Sequence, residues 1–310
     1  MEKIIAILLS CIMLIFSLAS CNTTPKPDTK TEGGYTFTDA LGNSVTVDNP
    51  QRVVALIGSF AEIWTLAGGK LVGVTTDAVS EKKMEFSDDV STVGAYNAPN
   101  SEAILALNPD FVILSSETKE HLALADLLKN SGINVAYFNV TYFDDYLDML
   151  KICTEITGKP ENYETNGTKV KELVNTHIAN ASEKESPKVL FMITYSKGVI
   201  VKNSECQTGD MLKDLNCINI ADRTQSLLKE FSIEKIIEEN PDYIFVVPMG
   251  NDDSLATKNL KQNVESNPAW KDLDAVKNDR YKLLPKELFL YKPNAEWADA
   301  YEYLYEILYK

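Results

Sequence analysis

Short apolar, β-branched runs recur along the chain, and stretches with apolar positions three and four apart separate them. That alternation is the pattern of parallel βα units, in which helices cover strands buried on both faces. Arg52–Ile57 (RVVALI), Leu71–Thr75 (LVGVT), Phe111–Leu114 (FVIL) and Ile133–Phe138 (INVAYF) read as the strands of a first α/β lobe spanning 35–143. After the first of them, Ser59 and Glu62 have capping-box spacing at the start of a helix that Gly68-Gly69 closes. Strand signals then vanish over 144–186, where Gly167–Glu185 spaces Val170, Leu173, Val174 and Ile178 on one side of a long helix that Pro187 ends. They resume over 187–310 with Lys188–Ile193 (KVLFMI), Gly198–Lys202 (GVIVK) and Tyr243–Val247 (YIFVV), so the second lobe repeats the first in outline.

One segment appears twice. Ser101–Leu114 (SEAILALNPDFVIL) returns as Ser232–Val246 (SIEKIIEENPDYIFV), with Glu102 matching Glu234 and Asn108-Pro109-Asp110 matching Asn240-Pro241-Asp242. The Asn-Pro-Asp triplet is a structural connector: Pro cannot continue a helix, and Asn and Asp tolerate the tight turn into the next strand. The glutamates fall in the first turns of their helices, where a carboxylate favours the helix dipole by about 0.3–1 kcal/mol. From these residues alone, a solvated charge and a functional contact stay equally open.

The N-terminus adds a targeting signal. Met1-Glu2-Lys3 precedes the apolar run Ile4–Leu18 and then Leu18-Ala19-Ser20-Cys21, the order of a secretory signal over 1–20. The run is too short for a stable membrane span. Residues 21–34, polar and rich in Thr, Pro, Lys and Gly, read as a tether, with folded structure beginning near Tyr35. Of the five cysteines, Cys11 lies in the signal; Cys153, Cys206 and Cys217 remain besides Cys21, an odd set that is no disulfide framework. Cys206 and Cys217 are able to pair in an exported protein, and free buried thiols are the alternative. No zinc-ligand spacing occurs.

The formal net charge of -15 excludes nucleic acid as a partner and suits a basic protein surface. No GxGxxG follows a strand, LAGGKLVG (66–73) lacks a P-loop's early glycine and Ser/Thr, and no GxSxG elbow occurs, so an enzyme is not expected.

Three stretches, Phe37–Thr75, Val93–Ile113 and Phe231–Val247, together resemble the iron-siderophore and cobalamin substrate-binding family of ABC importers, and the similarity covers essentially all of 35–310. The resemblance implies two Rossmann-like lobes joined by a single long rigid helix, with no cofactor and no resident metal. It implies that Glu102 and Glu234 sit on the rims of the two lobes and dock onto arginines of a permease dimer served by a separate ATPase. Leu18–Cys21 resembles a bacterial lipobox, which implies lipidation of Cys21 and anchoring at the outer face of the cell membrane. A surface adhesin or scaffold lipoprotein would share the anchor and leave the matched glutamates unexplained.

The ligand cleft is expected between the lobes, at the loops that follow strand carboxyl ends: 57–60, 75–77, 94–97, 115–117, 194–197, 221–224 and 248–251. Candidate contacts there are Ser59, Phe60, Tyr96, Asn97, Tyr195, Lys197, Arg223, Met249, Lys286 and Tyr291. The expected cargo is a ferric siderophore, with cobalamin or haem as alternatives. The scarcity of arginine (Arg52, Arg223 and Arg280) weighs against a highly anionic chelate. Haem requires an axial Tyr, His or Met, and His121 and His177 read as surface or packing residues away from the cleft loops.

Overall fold

The computed structural model describes residues 28–31, 33–250 and 253–310. The expected signal over 1–20, the lipidation site Cys21 and most of the expected tether lie outside them. The remainder of that tether is not loose chain. Strand β1 (Thr29–Thr31) pairs antiparallel with β2 (Gly34–Thr38), which pairs with β3 (Ser44–Val47). The alternation that buries Tyr35, Phe37, Val45 and Val47 was available in the sequence and is absent from the strands expected above.

The first α/β sheet contains β4 (Val53–Ala55), β5 (Leu71–Val74), β6 (Ser91–Thr92), then, after a small hairpin of β7 (Gly94–Ala95) and β8 (Ala98–Pro99), β9 (Phe111–Ser115) and β10 (Asn134–Phe138). Its order is β10-β9-β4-β5-β6, all parallel. This is a Rossmann-like order whose direction reverses between β4 and β9, where loops diverge and leave a crevice. The second sheet contains β11 (Lys188–Tyr195), β12 (Gly198–Lys202), β13 (Ile218–Asn219), β14 (Tyr243–Pro248) and β15 (Tyr281–Leu283), ordered β12-β11-β14-β15 with β13 beside the start of β11. It is not wholly parallel as expected. Only Ser196 and Lys197 separate the paired Tyr195 and Gly198, a connection that permits a hairpin and no crossover, so β12 runs antiparallel.

Alternate strand residues enter different cores. Val53, Ala55, Phe111, Ile113, Val189, Phe191, Phe245 and Val247 join one central cluster, while Val54, Val112, Leu190 and Ile244 face outer clusters private to each sheet. The helices Phe143–Thr157, Lys169–Ser182 and Trp297–Tyr309 complete the central cluster, so the two lobes share packed apolar surface.

The connection between lobes is a helical run from Pro160 to Ser182, with a π-helical segment at Glu164–Thr168. It starts earlier than the sequence pattern indicates, and Leu173, expected on its buried side, is 55% exposed. Val170, Val174 and Ala181 carry the buried stripe instead, packing with the C-terminal helix. The first lobe holds the other end of the run. Lys159 Nζ donates to the Gly68 carbonyl at 2.7 Å, Asn166 Nδ2 to Leu66 at 3.2 Å, and Tyr146 Oη to the Asn166 carbonyl at 2.7 Å.

The capping box at Ser59 and Glu62 does not form. The helix starts at Gly58, leaving Ile57 as N-cap with no side-chain bond and Ser59 already inside the first turn. Asp77 Oδ2 takes its place, accepting the Gly58 N–H at 2.6 Å. Gly58 is required at this contact, because a Cβ there would lie 2.6 Å from the Ala78 nitrogen. Cys153, Cys206 and Cys217 are all free, so the alternative of a Cys206–Cys217 disulfide is not realised.

Candidate functional site

A cavity of about 590 Å³ opens between the sheets. Its first-lobe wall comes from the carboxyl ends of β4 (Ile57, Ser59, Phe60), β9 (Ser115, Glu117, Thr118) and β10 (Asn139, Val140, Thr141), together with Asp77, Glu81, Lys82 and Tyr96. Met249 and Gly250 after β14, and the segment 290–292, form the facing wall. The site therefore flanks the β4/β9 switch point, as the topology requires.

Of the ten candidate contacts, Ser59, Phe60, Tyr96, Met249 and Tyr291 line this cavity. The other five do not. Asn97 is exposed at the turn between β7 and β8, beside Tyr96 but directed outside the lining. Tyr195 and Lys197 belong to the β11–β12 hairpin at the sheet edge, where Asn259 Nδ2 donates to the Tyr195 carbonyl at 3.2 Å. Arg223 lies at the wrong end of the sheet. The short β13 pairs with the first residues of β11, and neighbouring Thr224 bonds Glu239 at 2.6 Å, just ahead of β14. Lys286 lines an adjacent hollow of about 270 Å³ with Glu81 and Tyr291, and its Nζ donates to the Gly250 carbonyl at 3.1 Å.

The loop 139–141 was recoverable, since it follows a strand the sequence already revealed. Leu290 and Lys292 precede a helix rather than follow a strand, and no sequence rule marked them. Lys82 was missed for a similar reason.

His121 is a correction of place. It is fully buried behind the cavity, with Nδ1 accepting the Ser115 N–H at 3.0 Å and Nε2 2.8 Å from the Tyr96 carbonyl. With Nδ1 an acceptor, Nε2 carries the proton and donates. Burial lowers the His121 pKa, in keeping with a neutral ring whose Nδ1 accepts, and the ring braces two cavity loops. His177 packs on Tyr305, ring centroids 5.6 Å apart, well within the expected packing role.

The charged lining is mixed. Asp77, Glu81 and Glu117 supply carboxylates, and burial followed by the Asp77 charge raises the Glu81 pKa. Lys82 pairs with Glu62 at 2.6 Å. No arginine reaches the lining. Arg52 grips the Leu107 carbonyl at 2.8 and 2.6 Å, and Arg280 stacks on Tyr243 at 5.1 Å. Among the described residues no cluster of His, Cys, Asp or Glu is arranged to hold a metal ion.

The matched glutamates are both exposed in the first turns of their helices, Ser101–Ala106 and Ile233–Glu239. Each helix feeds back into a parallel strand, so its first turn lies toward the carboxyl edge of its sheet, the edge that also carries the cavity.

Two Rossmann-like lobes, a shared core, a helical connection and an inter-lobe cavity make the architecture of a bilobal solute-binding protein. The periplasmic binding protein family model (Peripla_BP_2) matches residues 53–288, and the chain belongs to that family: it is an extracytoplasmic substrate-binding protein of the ABC-importer type. It is 25% identical over 286 residues to the Fe(3+)-citrate-binding protein YfmC of Bacillus subtilis, covering 89% of this chain and 88% of that one. To the high-affinity heme uptake system protein IsdE of Staphylococcus aureus it is 26% identical over 230 residues, 72% of this chain and 75% of the relative. The Staphylococcus aureus SirA structure with staphyloferrin B shares the fold at a TM-score of 0.68 and 23% identity, covering 91% of this chain and 98% of that one.

Proposed function

We propose that this protein is a lipid-anchored receptor, held at the outer face of the cell membrane through Cys21, that captures a ferric siderophore or similar iron chelate between its lobes and delivers it to a permease dimer. The observation that carries the reading is the cavity itself. It sits at the switch point, large enough for a chelate, with aromatic and apolar surface from Phe60, Tyr96, Leu290 and Met249 and a few charges of both signs. Glu102 and Glu234 register the docking, one per lobe, against basic residues of a two-fold symmetric partner. The ATPase that powers import is a separate chain.

Relatives named for Fe(3+)-citrate and for heme support an iron complex as cargo. Haem is the second reading, because Tyr96 and Met249, 42% and 39% exposed, project from opposite walls and both side chains are able to ligate haem iron. His121 is not such a ligand, since both ring nitrogens are engaged. Cobalamin stays in the comparison.

The test is calorimetric titration of the chain lacking residues 1–21 with ferric citrate, a ferric catecholate, a ferric trihydroxamate, cobalamin and haemin. Submicromolar binding of an iron chelate, about -8 kcal/mol or stronger, is the expected result. Binding of cobalamin alone would replace the cargo, and silence toward every member would count against capture.

A further inference from the structure

Lys292 stands apart from the rest of the cavity. Its φ is +56° and that of Asn294 is +53°, on either side of Pro293, in a region that residues other than glycine rarely adopt. The opposite lobe imposes this turn. Lys82 Nζ donates to the Lys292 carbonyl at 2.7 Å while pairing with Glu62, and Asn294 Nδ2 donates to the Ser59 carbonyl at 3.0 Å and to Glu62 Oε2 at 2.5 Å. Backbone strain that the surroundings hold in place is characteristic of ligand clamps.

The held turn presents a cation. Lys292 lines the cavity, and withdrawal from water pushes the pKa of its ammonium below the usual lysine value. Among the described residues it has no hydrogen-bond acceptor and no ion-pair partner for its Nζ. The two groups that pull its pKa back up are otherwise engaged. Cys206 Sγ donates to the Asn203 carbonyl at 3.3 Å, and Asp145 Oδ2 accepts the N–H groups of Thr141 and Tyr142 at 2.9 and 2.8 Å. Lys82, the other lysine of the lining, is bound to Glu62. A partly desolvated cation with no ion-pair partner of its own is satisfied best by an anion that arrives with the ligand.

We infer that Lys292 is the charge-reading residue of the cavity, its ammonium taking an anionic oxygen at the edge of the cargo, a carboxylate or a phenolate. This rests on the capture reading above and narrows it: the cargo carries one such group for Lys292, while the mixed lining disfavours a complex that is anionic all round. Lys292 is thus a specificity determinant supplied by the second lobe, fixed in place by the first.

The test compares wild type, Lys292→Gln and Lys292→Arg, each lacking residues 1–21, in titrations with ferric citrate, a ferric catecholate, haemin and a ferric trihydroxamate that is neutral overall. Lys292→Gln is expected to weaken the anionic cargo roughly 10- to 100-fold, the loss of one charge-assisted bond, and to leave the trihydroxamate unchanged. Lys292→Arg keeps the cation and stays within about fivefold of wild type. Loss confined to citrate and haemin assigns a carboxylate; loss confined to the catecholate assigns a phenolate.

Unchanged affinity of a folded Lys292→Gln for an anionic cargo overturns the inference, as does a wild type that binds only the neutral trihydroxamate. In both cases capture itself stands. A wild type that binds none of these and no cobalamin removes the capture reading and the inference together, and one that binds cobalamin alone overturns the inference while capture stands. Should Lys292→Gln fail to fold, the pKa of a ¹³C-dimethylated Lys292 in wild type decides: it rises when an anionic chelate binds, and a value unmoved by binding overturns the assignment.

Discussion

The two copies of the repeated segment, 100–115 and 232–248, share a backbone device and differ in what secures it. In both, a polar side chain caps the helix, an Asn in left-handed conformation ends it (Asn108 φ +43°, Asn240 φ +41°), and an Asp clamps the strand next door. Ile104 and Ile236, fully buried, pin equivalent faces. The first copy is the more heavily fastened. Asp110 accepts two N–H groups, from Gln51 at 2.7 Å and Arg52 at 2.9 Å, whereas Asp242 accepts one, from Lys188 at 2.7 Å. Arg52 grips carbonyls of its turn with two nitrogens, and Lys188 reaches the Glu239 carbonyl with one. Besides the Asn-Pro-Asp turn and the buried Ile, the copies share an exposed first-turn carboxylate. The fastening differs in number of bonds between the copies while Glu102 and Glu234 hold the same first-turn position, the pattern expected if both face one symmetric partner.

The sharpest way to break that comparison is to remove what the copies have in common. Glu102→Ala with Glu234→Ala is expected to lower uptake of labelled cargo by about tenfold or more, with cargo affinity of the isolated protein within about twofold of wild type. Full uptake in the double variant would reduce both residues to solvated first-turn charges, and lost cargo binding would place them in the cavity's machinery instead.

A smaller effect separates the copies. Asp110→Ala releases two backbone donors and Asp242→Ala one, so the first should cost about 2–4 kcal/mol and the second about 1–2 kcal/mol, read as midpoint shifts in urea unfolding. Equal losses would mean that the second copy is fastened by more than its Asp, with the Asn240 Nδ2 bond to Asp274 at 2.7 Å the first place to look.

The same contrast explains what the chain disclosed before folding. Repeat and strand ends are local: apolar runs, an Asn-Pro-Asp turn and capping residues sit within a few positions of one another, so the seven expected strands and both glutamate positions were legible. The cavity is a meeting of distant segments. Its first-lobe wall follows from strand ends, which is why Ser59, Phe60 and Tyr96 were named correctly for place. Lys292 is set by the bond from Lys82 and by the bond of neighbouring Asn294 to Ser59, each more than 200 positions away, and nothing in the local sequence announces them. Arg223 shows the converse error: a loop after a strand was assumed to reach the cleft, but a two-residue strand paired at the start of β11 leaves it at the far edge. Ser59 reads as a cap until Ile57 takes that position and Asp77, from another helix, supplies the bond.

The smallest effect tests whether the caps themselves have diverged. Asn100 Oδ1 accepts the Ala103 N–H at 3.1 Å, while Ser232 Oγ accepts the Lys235 N–H at 3.4 Å, near the limit of a useful bond. Asn100→Ala should therefore cost about 1 kcal/mol and Ser232→Ala about 0.5 kcal/mol, resolvable by thermal melts of the two variants side by side. The second helix is also the one with an exposed Lys235–Glu238 pair at 2.7 Å on its outer face, which contributes little in water. If Ser232→Ala proves the costlier change, the long bond is not the measure of that cap, and the second rim depends on its N-terminus as closely as the first. If the expected order holds, the helix that carries Glu234 is the less firmly capped of the two, as its longer bond indicates.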